Sequence, residues 1–73
     1  MTLRDAEVGK EYTVCAVQIA DEELKAFLFS LGCYAGEPIT VISRRKSGMI
    51  LSIKDGRYSV DNALASGITV SPR

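Results

Sequence analysis

Two thiols, Cys15 and Cys33, and a scatter of carboxylates are the groups in this 73-residue sequence best suited to chemistry, and no histidine accompanies them. Without histidine the usual general base near neutral pH and the commonest metal ligand are both missing. Cys15 stands among Val14, Ala16 and Val17 with no basic neighbour to favour a thiolate. Cys33 falls just past the end of a helix, where the dipole disfavours negative charge. Both are therefore expected to be small, reduced core residues, and they are too far apart in sequence for a metal knuckle. The acids Asp21, Glu22 and Glu23 are consecutive at a helix start and so point in different directions, while Asp55 and Asp61 stand alone. A hard-ion loop needs oxygen ligands at alternating positions. These groups predict no catalytic residue, no resident metal and no cofactor, and leave open only weak surface binding of a transition metal. Gly32 and Gly36 lead into Glu37 and Pro38 rather than into a helix carrying Lys and Ser, so a phosphate loop is not expected. The basic run Arg44-Arg45-Lys46 has no aromatic neighbour on which a nucleobase could stack, so nucleic acid is not an expected partner. An enzyme is not expected.

The elements that must position these side chains are short. Tyr12 to Ile19 is rich in Val, Tyr, Thr and Ile and reads as a first strand. Its alternation is poor, which predicts burial on both faces or a bulge. Asp21 is a good N-cap, with Glu22 and Glu23 in the first turn of the helix that follows. Leu24, Phe27, Leu28 and Leu31 then recur at i, i+3, i+4 and i+7 as one apolar stripe, and Phe29 falls outside it. Gly32 is placed to cap that helix in the left-handed conformation, and Gly36 to turn the chain where a side chain would clash. Glu37 to Arg45 is the second strand, with Ile39 and Val41 on one face and Thr40 and Ile42 on the other. Met49 to Lys54 is the third.

Asp55-Gly56 signals a hairpin. With those two residues as the loop, Ile53 faces Tyr58 and Leu51 faces Val60. Leu51, Ile53, Tyr58 and Val60 then share one face, while Ser52, Lys54, Arg57 and Ser59 share the other. Asp61 caps a short helical turn that stops at Gly67, and Ile68 to Val70 closes the chain as a fifth strand. Five short strands, tight turns and one helical insertion predict a mainly β fold: a small SH3-like barrel with a helix after the first strand and a helical turn before the last.

Composition agrees with one small packed domain spanning residues 1–73. Hydrophobic residues make up 47% of the chain, enough for a real core in a domain that buries only about 60% of its unfolded surface. Nine basic residues balance nine acidic ones, so no overall field draws the molecule to nucleic acid or to an anionic membrane. No leader and no apolar run of about 18 residues is seen. A cytoplasmic protein is expected, held at a membrane only through a partner.

In order and spacing these features resemble the FeoA family, over roughly Thr2 to Val70. The resemblance rests on Leu3 and Gly9, a strand with Val14, a helix ending in Leu28, Leu31 and Gly32, then Gly36. It continues through Ile39, Val41, Arg44 and Arg45, the Asp55-Gly56 hairpin, the turn from Asn62 to Ser66, and Ile68 and Val70. Cys33 and Ala35 depart from the family pattern, which usually has an aliphatic or aromatic residue after the helix-ending glycine and a proline before the next one.

The resemblance implies a non-enzymatic accessory of bacterial ferrous iron uptake, acting with the membrane GTPase transporter FeoB, in a family commonly linked to transition metals. A partner-binding surface is expected from Leu24, Phe27 and Phe29 on the helix with Arg44, Arg45 and Lys46 at a strand end. Self-association through an exposed strand end or Phe29 is also left open. The competing expectation is a metal-regulatory module, because a similar SH3-like domain ends the iron-dependent repressors.

Overall fold

The computed structural model describes all residues from Met1 to Arg73. The chain forms η1 (Leu3–Asp5), β1 (Glu11–Val17), α1 (Glu22–Leu31), β2 (Pro38–Arg44), β3 (Gly48–Ile53), β4 (Gly56–Asp61), α2 (Asn62–Ser66) and β5 (Ile68–Pro72). The five strands make one antiparallel sheet in the order β4-β3-β2-β1-β5. Two bulges bend it, one between Val14 and Ala16 in β1 and one between Val41 and Ser43 in β2. A bulge sharpens strand twist and curvature, so the sheet curls around its apolar face. The hydrogen-bonded ladder stays open between β4 and β5, and α2 spans that gap, packing against both strands and against η1.

Alternation sorts the core as expected: Tyr12 and Val14 from β1, Ile39 and Val41 from β2, Met49, Leu51 and Ile53 from β3, and Ile68 and Val70 from β5 are all buried. The bulge in β1 resolves the poor alternation there and corrects one expectation. Cys15 occupies the irregular position and is exposed, its thiol beside the Thr13 carbonyl and the Ser71 hydroxyl, whereas Cys33 is buried as expected. Burial pushes the Cys33 thiol up to about 11, because a thiolate there would lose its hydration.

The N-terminal residues form a helical turn before the first strand. Thr2 and Asp5 form a reciprocal capping box around η1, and Leu3 is wholly buried. The hairpin keeps its predicted facial sorting in a different register. Ile53 faces Gly56 and Leu51 faces Tyr58, so Lys54 and Asp55 form the loop. Both registers put the same side chains inside, which is why patterning cannot separate them. Packing does: the Tyr58 ring lies where a Cβ on residue 56 would stand, and Lys54 adopts the left-handed φ of 52°.

Candidate functional site

Helix α1 begins as the sequence predicts, with the Leu24 N–H donating to the Asp21 carboxylate at 3.1 Å. It ends at Gly32 with φ 98°, whose amide donates to the Phe29 carbonyl at 3.0 Å while the Cys33 amide reaches the Leu28 carbonyl at 3.0 Å. Gly36, with φ 94°, then turns the chain into β2. Between these caps the helix sits thinly on the sheet. Leu28 is its single fully buried residue, with Leu24 and Leu31 half-buried.

Phe27 corrects the predicted stripe, since it is 56% exposed; Phe29, outside the stripe, is 63% exposed. With one residue carrying the seat, the buried face is too narrow for position 27, three residues from both Leu24 and Ser30, to turn inward. Phe29 stacks on Tyr34, ring centroids 4.7 Å apart and 31° between planes. Behind that pair lies a shallow depression of about 200 Å³ lined by Ala16, Val17, Lys25, Cys33 and Ala35.

A charged strut braces the C-terminal end of the helix. The Lys54 ammonium pairs with the Glu37 carboxylate and stands 5.9 Å from the centre of the Tyr34 ring, and its stem passes over Gly32. The hydrogen bond from Lys54 holds Glu37 below the usual carboxylate value, and the same bond raises Lys54. Neither Lys54 nor Tyr34 was expected at this surface. Tyr34 offered a weak signal as an aromatic two residues past a helix-ending glycine, but nothing in one sequence tells that residue 54 returns to residue 37.

The six residues expected to form one surface do not come together. Phe27 and Phe29 are both exposed on α1, but two positions along a helix set them about 200° apart, so they point to different sides of it. Leu24 lines a larger groove of about 650 Å³ with Ile19, Val60 and Leu64, whose far wall is Ser59 and Asp61 of β4. Arg45 borders a smaller hollow that shares Ser59, Val60 and Asp61 with that groove, so β4 is common to both.

Arg44 is engaged elsewhere: its guanidinium donates to the Leu3 carbonyl at 3.0 Å and to the Ala6 carbonyl, fastening η1 to the end of β2. Lys46 is exposed in the β2–β3 turn, which Asn62 pins by donating to the Lys46 carbonyl at 3.1 Å. No three side chains among His, Cys, Asp and Glu converge. With one thiol buried and protonated and the other beside neutral oxygens, the donor set does not fit a resident transition metal. No helix is long and apolar enough to cross a membrane.

Comparison with known proteins agrees with this architecture. A search of curated proteins finds no match. Among solved structures, the zinc complex of FeoA from Stenotrophomonas maltophilia superposes with a TM-score of 0.85 at 20% identity, over 97% of this chain and 89% of that one. That protein is described as a prokaryotic SH3 domain protein and a candidate activating factor of ferrous iron transport. FeoA from Chlorobium tepidum gives 0.89 at 22% identity, covering 99% of this chain and 70% of that one. A manganese-dependent transcriptional repressor gives 0.87 at 20% identity, covering all of this chain and 41% of the repressor. At these identities the likeness establishes an SH3-like fold. The family model for the FeoA domain matches residues 1–72, and with nearly the whole length accounted for, the chain belongs to the FeoA family.

Proposed function

We propose that the protein is a non-enzymatic accessory of bacterial ferrous iron uptake that binds or regulates the membrane GTPase transporter FeoB from the cytoplasmic side, presenting α1 to it. The observation that carries this reading is the pair of exposed phenylalanines on a helix seated through one fully buried side chain. Large aromatic groups left in water on a short, thinly seated helix are characteristic of contact surfaces, where an aromatic anchor contributes much of the binding energy. The stacking of Phe29 on Tyr34 and the Lys54–Glu37 brace hold one end of that surface in shape before a partner arrives, which lowers the entropic cost of docking. Arg45 and Lys46 lie on a separate part of the surface and would contribute at most a rim contact. Iron in this reading is the cargo of the transporter.

Solubilised membranes of the source bacterium, passed over the immobilised protein, test the proposal. Wild type should retain a membrane GTPase and Phe27→Ser/Phe29→Ser should lose it, while Arg45→Glu/Lys46→Glu should weaken retention less. Equal retention by the folded phenylalanine double variant would refute the assignment of α1.

The repressor likeness favours a second reading, a metal-regulatory module working with a separate DNA-binding chain. It predicts that the protein alters the metal-dependent gel shift of such a chain. No effect at saturating protein would exclude it.

A further inference from the structure

The geometry points to a reversible two-fold dimer in which β4 of one molecule pairs antiparallel with β4 of a second copy, centred on Ser59. The two ends of the sheet are treated differently. The outer edge of β5 is covered by the chain's own N-terminus, through a bridge between Thr2 and Thr69 and a hydrogen bond from the Val70 amide to the Met1 carbonyl at 2.9 Å. The outer edge of β4 has no strand beside it, and no amide of Arg57, Ser59 or Asp61 donates to a turn or loop carbonyl. A two-residue turn closes on a bonded pair, here Ile53 with Gly56, and bonded pairs then fall at every second residue. The Asn62 amide, which donates to the Ser47 carbonyl at 3.0 Å, continues the same parity. Gly56, Tyr58 and Val60 therefore spend their backbone groups on β3, and Arg57 and Ser59 turn theirs outward. Unpaired edges of this kind are templates for another strand.

The side chains make that edge complementary to itself. An antiparallel pair centred on Ser59 sets Ser59 against Ser59 of the second copy, where two N–H···O=C bonds are exchanged. It sets Arg57 against Asp61 of the second copy, twice by symmetry. Arg57, Ser59 and Asp61 all lie on the exposed face of β4, and neither charged residue has an ion-pair partner within its own chain. Opposite charges directly across an antiparallel pair stabilise it and like charges oppose it. On the other face Tyr58 meets Val60 of the second copy. Both are half-buried, and Val60 forms part of the floor of the open apolar groove beside the strand. An isologous contact of this sort closes at two molecules. Five residues a side make a small interface, below about 1,200 Å² in total, so the association is weak and concentration-dependent.

Sedimentation equilibrium of the full chain up to millimolar concentration tests this, and the result is independent of the α1 docking proposal because no transporter is present. Wild type should rise toward twice the monomer mass. Arg57→Glu should stay monomeric, and so should Ser59→Pro, which deletes an amide that β3 does not use. An equimolar mixture of Arg57→Glu and Asp61→Lys, each monomeric alone, should dimerise because both cross-strand pairs again join opposite charges. Asp61 also caps α2. If Asp61→Lys unfolds, Asp61→Asn keeps a capping side chain and should still weaken the dimer. A wild type that stays monomeric throughout, as it would if the edge served only an extended partner peptide, overturns the inference, and so does a dimer that survives Arg57→Glu or Ser59→Pro.

Discussion

Replacing Leu28 and Phe27 separately by alanine should produce opposite results from adjacent residues of one helix. Leu28 is 1% exposed and is the one α1 side chain wholly inside the core. Its truncation removes buried methyl groups and leaves a void, at a cost of about 2–5 kcal/mol. A chain of 73 residues has a total stability of about 4–11 kcal/mol and an unfolding entropy near 0.15 kcal/mol/K at its midpoint. A loss of about 3 kcal/mol therefore lowers Tm by about 20 °C. Phe27 is already 56% exposed, so its truncation surrenders little burial, and alanine gains about 0.5 kcal/mol of helix propensity in return. Phe27→Ala should stay within about 1 kcal/mol of wild type. Urea and thermal unfolding followed by far-ultraviolet circular dichroism measure both. Comparable losses for the two variants, or a loss under about 1 kcal/mol for Leu28→Ala, would show that α1 is seated differently and that Phe27 is not free for a partner.

A Cβ on residue 48 would overlap the Val60 carbonyl oxygen, which the backbone holds in place, so Gly48→Ala should cost about 2 kcal/mol or more, read from the denaturation midpoint. Arg44→Leu should loosen η1 by withdrawing the donor to the Leu3 and Ala6 carbonyls, at about 1–3 kcal/mol. Faster amide exchange at residues 3–6 would report it, and Arg45→Leu should leave exchange unchanged. Because Glu37 is held below 4.5 and Lys54 above 10.5 when folded, the strut stabilises between those limits. Its contribution fades as pH falls below the first and as pH rises above the second. The Tm difference between wild type and Glu37→Gln should accordingly vanish in acid and shrink with salt. A thiol reagent at pH 8 should modify Cys15 at once and Cys33 only through unfolding, so native Cys15→Ser should appear unreactive.

Local signals carried the parts of the fold that local physics decides. Asp21 and Asp61 cap the helices that the sequence assigns them, Gly32 and Gly36 adopt positive φ, and Ile39 and Val41 face the core. Each of these follows from one residue's conformational preference or from a period of two. The hairpin register escaped because both candidate registers keep the same parity, and the Tyr58 ring over Gly56 and the left-handed Lys54 are what separate them. Phe27 escaped because helical spacing identifies which residues share a face but not how wide a face the sheet will cover. Cys15 escaped at a bulge, where the alternation that would place it fails. Lys54 reaching Glu37 and Arg44 reaching η1 are long-range contacts that a single chain does not announce.

The fate of the basic run explains why the surface divides as it does. Three consecutive cations suggest one patch, yet along a strand neighbouring side chains alternate in direction, and at a strand end they diverge further into the turn. Arg44 is drawn to the Leu3 and Ala6 carbonyls at the end of the N-terminal turn, a structural demand that outranks an exposed ion pair in energy. What remains for partners is separated by chemistry. Helix α1 offers exposed aromatic area, suited to an apolar anchor, while the β4 edge offers backbone bonds with one cation and one anion, suited to a strand of matching charge order. A small core that seats its helix through Leu28 alone leaves the first surface exposed, and a sheet whose N-terminus covers only the β5 edge leaves the second. Both surfaces therefore follow from the same limitation: too few residues to cover every face of the sheet.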